Sequence, residues 1–217
     1  MAPRPRFAKL SAEKQQQILD AAHAEFVTHG YGAASVNRVI DAAGISKGAF
    51  YYYFDDKADL FAAVFKRAVS GILDQAHIDF EALDETSFWA QVEAFTARNA
   101  ELARGDPGLM ALARVFYDMP PETRESGPVA DTIAELMSWL QRLIGRGQAL
   151  GVVRTDIPVD VLLQLFLAID QVLDRWFLQL FEQMGDAHMR HFVHMTVDLH
   201  KRLLAPPESN PINGGES

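Results

Sequence analysis

Residues Ser35 to Lys57 read SVNRVIDAAGISKGAFYYYFDDK, and the spacing within this stretch describes two short helices joined by a tight turn. Ser35 is placed to cap a helix over 36–43, with Val36, Val39 and Ile40 on its inner face. Ala42-Ala43-Gly44 is a run of small residues that permits a sharp turn and the close approach of another helix. Ile45 plugs that turn, and Ser46 caps a second helix over 47–53. This is the signature of a helix-turn-helix, whose second helix enters the DNA major groove N-terminus first.

The second helix carries matching chemistry. Ser46 and the first backbone amides suit a phosphate, and Lys47 reaches a phosphate or a base edge. Gly48 and Ala49 allow close backbone approach, with the Ala49 methyl available to a thymine methyl. Phe50 and Phe54 lie four apart and are expected to face the core. Tyr51, Tyr52 and Tyr53 point about 100° apart on a helix, so one buried face cannot take all three. They are expected to fan across the surface with hydroxyls toward phosphates, although Tyr53 also suits a structural role. Lys57 begins the next helix where a phosphate would pass.

At these residues the sequence resembles the TetR/AcrR-type transcriptional regulators. GISKGAFYYYFDDKADLF is similar to the recognition-helix signature of that family, and HAEFVTHGYGAASVNRVIDAAG before it matches too, so the likeness covers about residues 11–65. It implies a homodimeric, all-helical, usually repressive regulator. Its three-helix head would bind a palindromic operator, and its divergent body would take a small molecule and dimerise through the last two long helices. Carried over position by position, Ser35, Ser46, Tyr51, Tyr52 and Lys57 match phosphate-contacting positions, while Lys47, Gly48 and Ala49 match positions that approach bases. Arg38 and Tyr53 complete the expected DNA-binding set. Ile40 stands where the family often has Ala, which bears on how tightly the two short helices pack. Ser35 replaces the more usual Thr and keeps the hydroxyl.

Working outward, the pattern stays helical, so the expected class is all-α. A first helix over 11–29 is capped by Ser11, aligns Ile18, Ala22 and Phe26, and stops at Gly30. A helix over 57–76 has Asp56 as N-cap and Asp59 as a capping-box variant. Further helices are predicted over 86–104, 109–118, 127–149, 159–183 and 186–204, separated by Gly105-Asp106-Pro107-Gly108, Met119-Pro120-Pro121, Gly151 and Gly185. The predicted organisation is a basic flexible arm over 1–10, a helix-turn-helix domain over 11–56, a ligand-binding and dimerisation domain over 57–204, and a disordered tail over 205–217. Arg4, Arg6 and Lys9 in the arm suit extra phosphate or minor-groove contacts, and also suit a plain unfolded leader.

The body offers no comparable signature, and its reading rests on residue chemistry. The 159–183 helix is apolar around most of its circumference, which fits either a central core helix or a subunit interface. The interface reading names Leu162, Phe166, Ile169, Leu173, His191 and Met195. Phe88, Trp89, Phe95, Met110, Phe116, Tyr117, Met137, Trp176 and Phe177 are either ordinary core or the lining of an apolar ligand pocket. Asp170 among them is either paired with Arg175 or Arg142, or available to a cationic or hydroxylated ligand. His191, His194 and Asp198 share one helix face, a spacing compatible with a metal site but more usual for a polar surface stripe.

Composition narrows the function classes. The 217 residues contain no Cys and 49% hydrophobic residues, so disulfide scaffolds, thiol nucleophiles and wholesale disorder are excluded. The net charge of −9 is unevenly spread, with residues 1–57 at +1 and the rest at −10. A basic head on an acidic body keeps DNA binding open, because the local field governs. No apolar run reaches the length of a membrane span, the basic N-terminus lacks the apolar core of a secretory signal, and a cytoplasmic location is expected. No nucleophile triad or Gly-rich phosphate loop appears, so no catalytic residue, cofactor or metal is expected. The expected partners are operator DNA, a second copy of the chain and a small-molecule effector. An activator or ligand-independent regulator of the same fold is the nearest alternative, and a helical enzyme or metal-binding protein a remote one.

Overall fold

The computed structural model describes residues 5–74 and 78–207. Its helices are α1 (Ala12–Ala33), α2 (Val36–Ala42), α3 (Lys47–Tyr53), α4 (Lys57–Asp74), α5 (Phe88–Gly105), α6 (Pro107–Asp118), α7 (Pro121–Arg124), α8 (Gly127–Ala149), α9 (Val159–Leu180) and α10 (Asp186–Leu204). Among the described residues there is no strand. Arg4, the predicted last turn of the 57–76 helix and the tail from 208 onward lie outside them.

Local chemistry sets the boundaries. The Ser11 hydroxyl accepts from Lys14 N, Ser35 from Arg38 N and Ser46 from Ala49 N, so each predicted N-cap is made. The α1 span is interrupted at Gly30, whose φ of 69° is the left-handed conformation the sequence required there. The α2–α3 turn is a Schellman closure. Gly44, at φ 55°, donates to Asp41 O, and Ile45 donates to Ile40 O. Ile40 is buried in the same core against which Ile45 packs, so the bulkier residue is accommodated. Two readings of breaks need correction. Asp106-Pro107 does not merely end α5. The Asp106 carboxylate caps Leu109 N and Pro107 takes the first helical turn, so α6 begins earlier than predicted. Pro120-Pro121 likewise opens the one-turn helix α7.

One core fuses the head to the body. Ile18, Ala22, Phe26, Val39, Phe50 and Phe54 from α1–α3 pack with Leu60, Phe61 and Val64 of α4, and with Leu112 and Val115 of α6 and Val129 of α8. Packing is therefore continuous across residue 56, the predicted domain boundary. A second core gathers α5, α8, α9 and the end of α10 around Phe88, Ile144 and Leu162. A third joins α5, α9 and α10 through Ala103, Phe177 and Phe192. The predicted basic arm is not free over its described part. Phe7–Lys9 form a single 3-10 turn, and Phe7 is buried with its ring 4.9 Å from that of Phe54. An aromatic residue in a basic leader is the signal that gives this docking.

Candidate nucleic-acid interface and effector cavity

The head presents one continuous outward face. Phe50 and Phe54 are completely buried and anchor α3. With those two positions fixed, helical geometry turns Lys47, Gly48, Tyr51 and Tyr52 to solvent, the tyrosines 46% and 48% exposed. Ala49 is half-buried. Tyr53 is half-buried too, its ring edge-on to Phe7 and Tyr52, which is the structural role the sequence left open. The Arg6 guanidinium lies 4.4 Å from the centre of the Tyr52 ring, so docking of Phe7 brings a positive charge onto this same face.

Two expected DNA contacts are already committed within the protein. Lys57 Nζ donates to Tyr31 O, Gly32 O and Ala34 O at 2.7, 3.0 and 3.3 Å, and sits over the Tyr31 ring. It closes the C-terminal end of α1, where free carbonyls and the negative helix pole attract a cation, rather than reaching toward a phosphate. Arg38 holds the buried Glu25 through Nε and Nη2 at 2.9 and 2.6 Å, and Glu25 also accepts from Ser35 N at 2.7 Å. The Arg38 guanidinium holds the Glu25 carboxyl below the usual carboxylate range. Arg38 and Ser35 thus lock α2 onto α1.

Behind the head, a cavity of about 560 Å³ runs between α4, α5, α6, α8, α9 and α10, within the range of ligand pockets. Phe88, Trp89, Phe95, Met110, Phe116, Tyr117, Met137, Asp170 and Phe177 line it. Trp176, expected beside them, does not. It is 42% exposed and stacks on Phe192 at the outer surface of α9. Phe166, expected at a subunit interface, instead lines the cavity and stacks on His200 at 4.1 Å. Asp170 has neither Arg175 nor Arg142 as its partner. Its Oδ1 lies 3.1 Å from His200 Nε2, while Arg175 sits over the Tyr117 ring and Arg142 over the Phe80 ring. The Tyr117 hydroxyl donates to Asp174 Oδ2 at 2.5 Å. Crowding among the cavity walls pushes the Asp174 carboxyl up to about 6, with the nearby Asp170 charge acting in the same direction.

Comparison with known proteins bears on this arrangement. Residues 18–64, which run from within α1 to within α4, match the family described as bacterial regulatory proteins, tetR family. Over these residues the chain carries the TetR-family DNA-binding head. It is 34% identical over 70 residues to the HTH-type transcriptional regulator AcrR of Shigella flexneri, a stretch that is 32% of either chain. The transcriptional regulator AcuR of Cereibacter sphaeroides is 28% identical over 175 residues, 75% of each chain. The fold is that of the regulator FadR of Bacillus subtilis in complex with stearoyl-CoA, with a TM-score of 0.69 at 18% identity, covering 85% of this chain and 96% of that one.

The outer surface of α9 also departs from expectation. Leu162 and Leu173 are interior residues. The exposed apolar positions are Val161, Leu165, Val172 and Trp176, joined by Leu199 of α10. They recur at three- to four-residue multiples and so make a stripe along α9. Ile169 packs inward beside Phe177, Met195 is half-buried and His191 is exposed. Asp198 pairs with Arg202, which takes it out of the His191–His194 face. Among the described residues no helix is long and apolar enough to cross a membrane, and no group of three candidate metal ligands is present. Sequence reasoning missed Asp174, Thr196 and His200 as cavity residues. The first lies one turn beyond Asp170, and that spacing was its available signal.

Proposed function

We propose that the chain is a ligand-responsive transcriptional repressor. As a homodimer it places two copies of α3 in successive major grooves of a palindromic operator, and it is released when a small effector with an apolar or aromatic body enters the cavity. One observation carries this reading: the exposed Lys47–Tyr52 face stands on a head whose core is shared with α4, α6 and α8, three walls of the cavity in the body. Lys47 and Gly48 approach base edges, Ser46, Tyr51 and Tyr52 contact phosphates, and Arg6 adds charge at the rim.

The effector acts through α4 and α6. Phe116 of α6 stacks on Phe65 of α4 at 4.5 Å, and both line the cavity. Phe65 stacks on Phe61, which packs edge-on to Phe26 in the head. On the other side, His23 of α1 donates to Gly108 O at the start of α6. A ligand that wedges Phe116 and Phe65 apart therefore moves α1 and α4 together and alters the spacing of two heads from about 34 Å. It does so to the extent that it binds the displaced state more tightly. The Val161–Trp176 stripe supplies the face that a second copy covers, and Val172, 69% exposed, is its most open point.

The test pairs DNA binding with assembly state. Lys47→Ala and Tyr51→Ala are expected to abolish operator binding in a fluorescence anisotropy titration while the dimer persists in sedimentation. Val172→Asp is expected to give monomers. Wild-type DNA affinity in both head variants would refute the α3 assignment.

A further inference from the structure

The cavity described above is mostly apolar, and at one place five side chains from three helices converge. Asp170 and Asp174 stand one turn apart on α9. Tyr117 reaches them from α6, and Thr196 and His200 stand one turn apart on α10. Thr196 is more than nine-tenths buried, lines the cavity, and its Oγ1 makes no hydrogen bond. A buried hydroxyl left without a partner loses its hydration and gains nothing unless something else bonds it.

The charges at this place do not cancel. Arg124 also lines the cavity, but its guanidinium is 3.7 Å from the Glu125 carboxylate, so that pair contributes little net charge. Arg175 faces the Tyr117 ring. Among the described residues, no lysine or arginine is paired with Asp170 or Asp174, whose partners are the His200 ring and the Tyr117 hydroxyl. Two carboxylates share one end of an aromatic-walled chamber, with the His200 ring against Asp170. An anionic head group would meet repulsion there, and a neutral one would gain nothing from either carboxylate.

We propose that the cavity takes an organic cation, a protonated or quaternary amine on an apolar body, with the cationic head between Asp170 and Asp174 and a polar group, where present, at Thr196 Oγ1. This rests on the reading of the cavity as the effector site and deepens it to a ligand class. The aromatic walls suit such a ligand twice over, by burying its body and by presenting ring faces to its charge.

The test uses three probes of equal chain length below their aggregation concentrations: decyltrimethylammonium, decanol and decanoate. Trp89 and Trp139 line the cavity, so tryptophan fluorescence reports occupancy, and calorimetry checks it. Decyltrimethylammonium is expected to bind about tenfold or more tightly than decanol, and decanoate to bind weakest. In the isosteric double variant Asp170→Asn/Asp174→Asn the cation is expected to lose about tenfold or more while decanol is unchanged. Decanoate binding as tightly as the cation, or cation binding indifferent to the double variant, overturns the charge assignment and leaves the cavity as an effector site. Failure of all three probes to bind overturns both readings.

Discussion

The head and the body of this chain are built from the same helices and the same aromatic residues, but they are packed to opposite ends. In the head, Phe26, Phe50, Phe54 and Phe61 are 0–1% exposed and fill a solid core. In the body, Phe95, Phe116 and Phe166 surround a chamber of about 560 Å³. Close packing holds a surface in one shape, and a void gives neighbouring helices room to repack. A regulator needs both, a rigid reader and a compliant sensor, with a wall in common.

This contrast is most exposed to removal of one ring from each region. Phe50→Ala is expected to cost about 3–5 kcal/mol and to disorder α3. Phe95→Ala, which only enlarges an existing void, is expected to cost roughly 1 kcal/mol, since a side chain facing a void has fewer contacts to lose. Chemical denaturation of the two variants measures the difference, and equal costs would mean that the body is packed as solidly as the head.

A second probe is the Glu25–Arg38 lock. Its carboxylate has a lowered folded-state pKa, so its stabilisation is complete above the unfolded value and is lost as pH falls through the folded one. Glu25→Gln is expected to cost about 2 kcal/mol at neutral pH and to flatten the acid limb of the stability curve. Denaturation midpoints measured between pH 7 and 3 give both numbers.

The cavity also depends on a carboxylate, but one whose folded-state pKa is raised rather than lowered. Asp174, held near 6, must be ionised to attract a cation, and the His200 ring faces Asp170. Tyr117 bonds Asp174 from α6, and Arg175 sits over the Tyr117 ring. Decyltrimethylammonium affinity is therefore expected to rise several-fold between pH 5 and 7.5, about tenfold at most for a one-unit change in charge occupancy. Calorimetry at the two pH values checks it.

The smallest expected effect separates two lysines that look alike in sequence. Lys57→Met is expected to cost about 1 kcal/mol of stability, as loss of a helix cap does, and to leave the salt dependence of DNA binding unchanged. Lys47→Ala is expected to leave stability unchanged and to reduce the salt slope by about one phosphate contact.

The lysine pair also shows what could be read from sequence. The turn chemistry of the head is local: Ser35, Gly44 and Ser46 act within a few residues of themselves, and their caps and left-handed turn stand where predicted. The burial of Phe50 and Phe54 follows from their spacing of four. The intramolecular partners of Lys57 and Arg38 were not legible, because they lie 23–26 and 13 residues away, beyond any periodic signal. In the body, nearly the whole aromatic set lines the cavity, yet Leu162 and Leu173, read as interface residues, are buried. A helix apolar on all sides does not record which side faces solvent, and the neighbours that decide it come from α5, α8 and α10. Phe7 was overlooked because an arm rich in Arg and Pro draws attention to its charge.

The account depends most on α3 being a DNA reader. The most direct test is fluorescence anisotropy of the full chain on duplex from its own upstream region, titrated with salt against a scrambled duplex. Tight, sequence-selective binding with a steep negative salt slope is the expected result. Binding undetectable on every duplex at low salt would contradict it.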